Sequence, residues 1–365
     1  MNEKKQNKVL DFVIKTMNGM AYGLFSTLII GTIIGTVGSF FGEKTLVFAV
    51  LNSLAAVLKN LTGIGIGLGI AWSLKLDGLK LITACVAGGV SSYMSGIKIW
   101  ELFNLSELGY ESFTNYFSKL SGFKVGDPLT VYIVVIGTVL LMNLLLKKKT
   151  PVDIILIPLF TTMVAGLISI LIGGPVAYIT TAIGNFVNTA TELQPFIMGV
   201  IISVVMGMAL TAPISSAAIA VTIGLTGLAG GAAVVGCCVQ MLGFAVMSRK
   251  DNNIGTVISV GIGTSMLQFK NILKKPIIWL PTIIVSAILG PIGTCLFKVE
   301  CVPSGAGMGT SGLVGIIGTI EAMGGFANAA LSVFVLLIAL PIVLVFITDV
   351  IFRHFNLIKE NDLKI

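Results

Sequence analysis

Between residues 193 and 248 no side chain carries a charge. That stretch is long enough for two bilayer crossings at about 20 residues each. A water-soluble domain has no use for it, because every turn of it that met solvent would expose apolar surface. The rest of the chain agrees. Hydrophobic residues make up 55% of the 365 residues and charged ones 11%, where soluble proteins carry about 25%, and the mean hydropathy is +1.02. The chain is therefore read as an integral membrane protein, and the same scarcity of charge excludes a disordered one.

A crossing helix needs about 20 largely apolar residues. Residues 20–41, 79–97, 129–146, 152–172, 196–210, 228–247, 277–297 and 327–352 meet that need. Shorter or glycine-interrupted apolar pieces lie between them, at 45–58, 62–74, 214–225, 254–269 and 312–323. Such pieces form re-entrant hairpins or halves of broken helices in transporters. The expectation is an all-α, polytopic membrane protein of about ten transmembrane helices with re-entrant or broken segments. A segment 1–19 precedes the membrane domain 20–352, and a tail 353–365 follows it. The polar start and the lack of a small-residue cleavage site after the first apolar run argue against a signal peptide, so that run is expected to remain as a span.

The net charge of +7 does not point to nucleic acid, because of where the charge lies. Lysines cluster at Lys4, Lys5 and Lys8, at Lys147, Lys148 and Lys149, and at Lys274 and Lys275, between apolar runs. The positive-inside rule puts these clusters, and the N-terminus, in the cytoplasm of a cell-membrane protein. Residues 98–127 mix Glu101, Glu107, Glu111, Lys119 and Lys124 with Trp100, Phe103, Tyr110, Phe113, Tyr116 and Phe117. That is the composition of an interfacial, partly helical loop, expected on the outside.

Two pseudo-repeats, roughly 20–194 and 195–352, are visible. Val135-Ile136-Gly137-Thr138 up to the lysines and Pro151 parallels Gly261-Ile262-Gly263-Thr264 up to Lys274, Lys275 and Pro276. Ile157-Pro158 then parallels Leu280-Pro281, and Ile172-Gly173-Gly174-Pro175 parallels Leu289-Gly290-Pro291. Upstream, 65–93 shares the Gly/Ala texture of 218–246. With both lysine clusters inside, the repeats are parallel, about an axis along the membrane normal. If every matched piece crosses, Arg353 and His354 land outside, against the charge rule. One piece, around 312–323, should therefore enter and leave on the same side.

Catalytic groupings are missing from this pattern. Cys85, Cys237, Cys238, Cys295 and Cys301 match no metal spacing and mostly read as small packing residues. Gly307-Met308-Gly309-Thr310-Ser311-Gly312 fits GxGxxG in letters, but no strand precedes it and the next acid, Glu321, comes too soon; close packing or an unwound turn explains the glycines. The one histidine, His354, sits beside Arg353 at the end of the last span, as an interfacial basic residue does. No metal, cofactor or catalytic residue is expected.

The informative side chains are the polar ones inside apolar runs. Thr211-Ala212-Pro213-Ile214-Ser215-Ser216 carries a proline that stops regular helix. An unwound hinge there exposes carbonyls and hydroxyls able to hold a neutral polar solute; hydroxyl packing between helices is the competing reading. Gln240 is the lone amide of its run, and Gln268 with Asn271 closes a short one. Glu321 lies between apolar runs, where an ionisable group is a site by default or else an interfacial carboxylate. Glu192, Asn185 and Asn188 form a weaker parallel upstream. Ser215, Ser216, Gln240, Gln268 and Glu321 are the candidate substrate-binding set, expected between the two halves.

Three stretches carry a resemblance. They are Ala209-Leu210-Thr211-Ala212-Pro213-Ile214-Ser215-Ser216-Ala217-Ala218-Ile219-Ala220, the run through Cys237-Cys238-Val239-Gln240, and Pro303-Ser304-Gly305-Ala306-Gly307-Met308-Gly309-Thr310-Ser311-Gly312. The chain, from about Met20 to Phe352, resembles the second enzyme-IIC-type membrane family of the bacterial phosphotransferase system, which includes PfoR-type regulators. The resemblance implies a sugar permease, often homodimeric, doing no covalent chemistry itself and depending on separate IIA and IIB proteins for phosphorylation. It also implies a sugar-binding glutamate in a Gly-Ile-Thr-Glu-like loop. Gly318-Thr319-Ile320-Glu321 is similar, with the middle pair exchanged, which points to Glu321. The alternative is a membrane-embedded sensor or regulator that uses a transporter fold without phosphorylating sugar.

Overall fold

The computed structural model describes residues 3–42, 44–76, 78–94, 127–146 and 150–365, with side chains from Asp11 onward. The expected outer loop 98–126 and the lysines at 147–149 lie outside the described residues. Among the described residues every element is helical. The helices are α1 (Glu3–Leu24), α2 (Ile30–Ser39), α3 (Leu46–Asn60), α4 (Thr62–Ser73), α5 (Gly78–Met94), α6 (Pro128–Leu145), α7 (Asp153–Thr191), α8 (Pro195–Thr211) and α9 (Ser216–Thr222). They continue with α10 (Gly227–Ser248), α11 (Ile254–Ile258), α12 (Phe269–Lys274), α13 (Leu280–Pro291), α14 (Pro303–Ala306), α15 (Val314–Ala322), α16 (Phe326–Leu331) and α17 (Leu340–His354).

Six of the described helical stretches are long and apolar enough to cross a membrane: Asp11–Ser39, Pro128–Leu145, Asp153–Thr191, Gly227–Ser248, Pro276–Phe297 and Phe326–His354. The bent pair α3 and α4, at 49°, makes a seventh if it counts as one span. The chain is thus a multi-pass membrane protein. α7 runs for 39 residues, about 58 Å at 1.5 Å per residue, roughly twice the hydrocarbon thickness. The expected span 152–172 is only its first half.

The chain divides into two compact units. The first comprises Met1–Gly31 and Ala49–Ile179; the second comprises Thr32–Phe48 and Thr180–Ile365. In the first unit α1, α4 and α5 touch backbone to backbone. A Cβ on Gly23 would lie 2.3 Å from the Gly65 carbonyl oxygen, and one on Gly63 would lie 2.4 Å from that of Gly88. Lipid tails are as apolar as leucine, so helices in a bilayer gain from close packing rather than from burial, and small residues permit it. α6 joins this bundle through a 2.8 Å hydrogen bond between Tyr132 Oη and Thr16 Oγ1. Its start is set by Pro128 in the first turn and by Asp127, whose carboxylate accepts from the Thr130 N–H at 3.0 Å.

The second unit is built around α10, which is buried along almost its whole length. α8 runs beside it in the same direction: a Cβ on Gly207 would meet the Gly236 oxygen, and Thr211 bonds Gln240 at the same offset. The Pro276–Phe297 span runs antiparallel to it, pairing Gly293 with Val235 and Thr282 with Gln240. At one end of the unit the Cys301 N–H donates to the Gly227 oxygen, and Thr294 Oγ1 donates to Pro195. At the other end Arg249 pairs with Asp349 at 3.1 Å, Arg353 pairs with Asp349 and Asp251, and Lys275 pairs with Asp362. This second end holds both Arg353 and the Lys274–Lys275 turn, and is called the basic end below.

That geometry fixes the order of crossings within this unit. Pro276–Phe297 leaves the basic end and Phe326–His354 returns to it. Residues 298–325 between them enter and leave at the end opposite the basic one. The two matched stretches of the sequence repeat differ locally. Val135 to Thr138 lie inside regular α6, whereas Gly261 to Gly263 form a wide π-turn that breaks at Thr264, whose φ of −159° and ψ of 137° are extended.

Candidate solute site

Three hairpins meet inside the second unit, each broken at its tip. The first enters as α8 and stops at Thr211. Ala212 to Ser215 are non-helical, and α9 turns back, its start capped by the Ser215 hydroxyl accepting from the Ala218 N–H at 3.3 Å. Pro213 lacks the N–H that a continuing helix would need, so this break follows from the sequence. The second hairpin enters from the basic end as α11, capped by Asn253 on the Thr256 N–H at 2.8 Å. It breaks at Gly263 and Thr264 and returns as α12. The third enters from the opposite end as α14, turns through Gly307 to Gly312, and leaves as α15.

Hydroxyls tie the tips together. Thr211 Oγ1 lies 2.9 Å from Ser265 Oγ. Ser216 Oγ donates to the Gly307 oxygen at 2.6 Å. Thr310 donates to the Gly261 oxygen at 2.5 Å, and Ser311 donates to that of Gly263 at 2.7 Å. Gly309, at a φ of +54°, presses on α10: a Cβ there would fall 2.6 Å from the Cys237 carbonyl carbon. The left-handed backbone and the closeness both require glycine.

Gln240, fully buried, sits beside these tips. Its Oε1 accepts from Thr211 Oγ1 at 3.1 Å, Trp279 Nε1 at 3.0 Å and Thr282 Oγ1 at 3.1 Å. Among the described residues its Nε2 has no partner, and on α13 neither does the buried Ser286 hydroxyl. A buried amide N–H left unpaired costs on the order of 1–3 kcal/mol, and a vacant donor among hydroxyls and unwound backbone is suited to a polyhydroxy solute or a water.

The five residues singled out from sequence divide. Ser215, Ser216 and Gln240 lie at or beside the hairpin tips. Gln268 is buried and committed: its Nε2 donates to the Leu363 oxygen at 2.9 Å, and its Oε1 accepts from Asn271 at 2.7 Å. Glu321 is exposed near the end of α15, nine residues past Gly312, away from the bonds that join the tips. Thr211, Ser265, Thr282, Thr310 and Ser311 stand outside the five. The sequence places Thr211 in the hinge and Thr310 and Ser311 in the glycine-rich run, but Ser265 and Thr282 carry no such mark; the meeting of the tips brings the five together. Cys237, Cys238 and Cys301 are buried free thiols, and no group of three or more metal-ligating side chains occurs among the described residues.

A family model described as Phosphotransferase system, EIIC, matches residues 14–365. No curated protein and no solved structure matches the chain.

Proposed function

This chain belongs to the EIIC family of the phosphotransferase system, and from that premise we propose that it is a permease for a sugar, bound where the three broken hairpins meet. One observation carries the reading: the unpaired Gln240 Nε2 in a buried, hydroxyl-rich cluster. A sugar hydroxyl accepts from that N–H, and the hydroxyls of Ser215 and Ser216 lie on the adjoining hinge. Glu321 is assigned the hydroxyl-accepting role that the family resemblance implies. Gln268 acts at one remove, holding the hairpin that carries Ser265. The chain itself makes no covalent bond in this scheme. Separate IIA and IIB proteins phosphorylate the sugar on the cytoplasmic side, and two copies assemble as a homodimer.

A sugar panel screened by thermal stabilisation of the purified protein tests the reading. A ligand at 100 times its Kd adds about 2.7 kcal/mol. Gln240→Leu should abolish the shift given by the best sugar. A shift that survives this change places the solute elsewhere. Binding without uptake in proteoliposomes supplied with IIA and IIB proteins would replace the permease by the sensor.

A further inference from the structure

Residues 358–365, after α17, lie across the base of the 254–274 hairpin and are fastened to the turn before its entry arm and to its return arm. On the entry side, Asp251 accepts from the Asn361 and Leu363 N–H groups at 3.0 and 3.1 Å. Asn252 donates to the Leu363 oxygen at 2.8 Å and accepts from the Ile365 N–H at 2.9 Å. On the exit side, Gln268 donates to the same Leu363 oxygen, Asn271 donates to that of Lys364 at 3.2 Å, and Lys275 pairs with Asp362 at 2.6 Å. The Leu363 side chain is fully buried and that of Ile358 nearly so.

We propose that this segment is a strap that locks the hairpin shut against opening toward the basic end. The hairpin has no other covalent or charged tie between its arms among the described residues. Among the described residues its tip is held by the neutral bonds from Thr211, Thr310 and Ser311 and by packing of Gly261 on Ala245 of α10. Movement of the return arm away from the turn that precedes the entry arm must break the bonds to the shared Leu363 carbonyl, which accepts from Asn252 in that turn and from Gln268 in the return arm. The tip carries Ser265, bonded to Thr211 and through it to Gln240, so the strap controls access from the basic end to that cluster. Among the described residues only Ile358, at its start, bonds back to α17, through the Phe352 oxygen. From Asn361 onward the bonds to other elements go to the hairpin's return arm and to the turn before its entry arm.

Thiol labelling tests this without any solute, so its failure leaves the permease reading standing. Ser265→Cys places a reporter thiol at the hairpin tip, and native Cys238, fully buried in α10, reports global unfolding. Asn252→Ala removes two strap bonds and should raise maleimide labelling of the tip reporter about tenfold. Leu363→Asp puts a charge where none can stay buried and releases the strap outright, with at least as large an effect. Cys238 should keep its rate in both. Two outcomes overturn the proposal. One is an unchanged rate at the tip reporter while hydrogen exchange shows residues 361–365 released. The other is Cys238 labelling that rises in step with the tip reporter, which would make the segment part of the general fold.

Discussion

Two residues carry opposite kinds of information about charge in an apolar protein. Glu321 is exposed, so its role is decided by what it binds rather than by what it stabilises. Glu321→Gln keeps the shape and removes the charge. Folding should change by no more than about 0.5 kcal/mol, as for other surface positions. Affinity for the identified sugar should fall by about 1.5–3 kcal/mol, the worth of a hydrogen bond to a charged group, which is about tenfold to over a hundredfold. Isothermal titration of the variant decides it; equal affinity makes Glu321 a surface residue. Lys270, in the short helix between the hairpin break and Lys275, is 8% exposed. Burial, and then the charge of Lys274, push its amine down to about 8. From about pH 8 up to its ordinary value of 10.5, the unfolded chain holds a proton there that the folded one has released, so stability should rise with pH across that window. Lys270→Met should remove the rise and stabilise the protein at neutral pH, where the folded state no longer has to bury a cation. Thermal unfolding at about pH 7 and about pH 9.5, below and within that window, measures both effects.

Among the elements, close helix contacts and broken helices have different physical origins. α8 approaches α10 because Gly236 has no side chain: a Cβ there would lie 1.8 Å from the Ser203 oxygen. Gly236→Ala should force the pair apart, cost about 1–3 kcal/mol as overpacking does, and loosen the hairpin tip that ends at Thr211. Gly166, in the middle of α7, meets nothing within 4 Å. There the same substitution should stabilise by about 0.5–1 kcal/mol, the ordinary gain of alanine over glycine inside a helix. Melting temperatures of the two variants should therefore move in opposite directions; a common direction would mean that packing does not govern the glycines of α8 and α10. The breaks at Thr211, Thr264 and Gly309 arise from a proline, an extended threonine that caps its own return helix, and a left-handed glycine. Each supplies unwound backbone inside the unit, which is tolerated in a membrane protein only where protein surrounds it.

For the molecule as a whole, the orientation expected from the lysines is open to a direct test. Arg249, Lys250, Lys274, Lys275 and Arg353 share one end of the second unit with the strap, and the positive-inside rule makes that end cytoplasmic. The single substitutions Lys250→Cys and Lys274→Cys, in a version lacking the native five cysteines, should both give thiols that resist an impermeant reagent in intact cells and react in inverted vesicles. Labelling from outside at either position reverses the orientation and puts the strap on the far side from any cytoplasmic IIB protein.

The membrane class, the all-helical content and the family were legible in the chain alone, because they rest on quantities that add along a sequence: apolar run length, scarcity of charge and short glycine-rich motifs. Local breaks were legible as well. Pro213 marks the end of α8, although Pro158, Pro175 and Pro291 stay inside helices, and the charge of Arg353 called for a piece that returns to its own side. Which polar residues act together was decided by the tertiary structure. Gln268 and Gln240 look alike in sequence, each a lone glutamine in an apolar run, yet one is spent on the Leu363 backbone and the other, among the described residues, keeps an unpaired Nε2 beside the hairpin tips. Ser265 and Thr282 carry no distinguishing mark in the sequence for the same reason, while Thr211, Thr310 and Ser311 are marked only as members of a hinge or a glycine-rich run. A hydroxyl in a helix always has a carbonyl one turn back to bond, so its sequence neighbourhood cannot reveal whether it also reaches another hairpin. That depends on where three separate breaks meet, and the meeting is made by hydroxyls reaching carbonyls of other hairpins and by Gly307 and Gly309 pressing on Ser216 and Cys237.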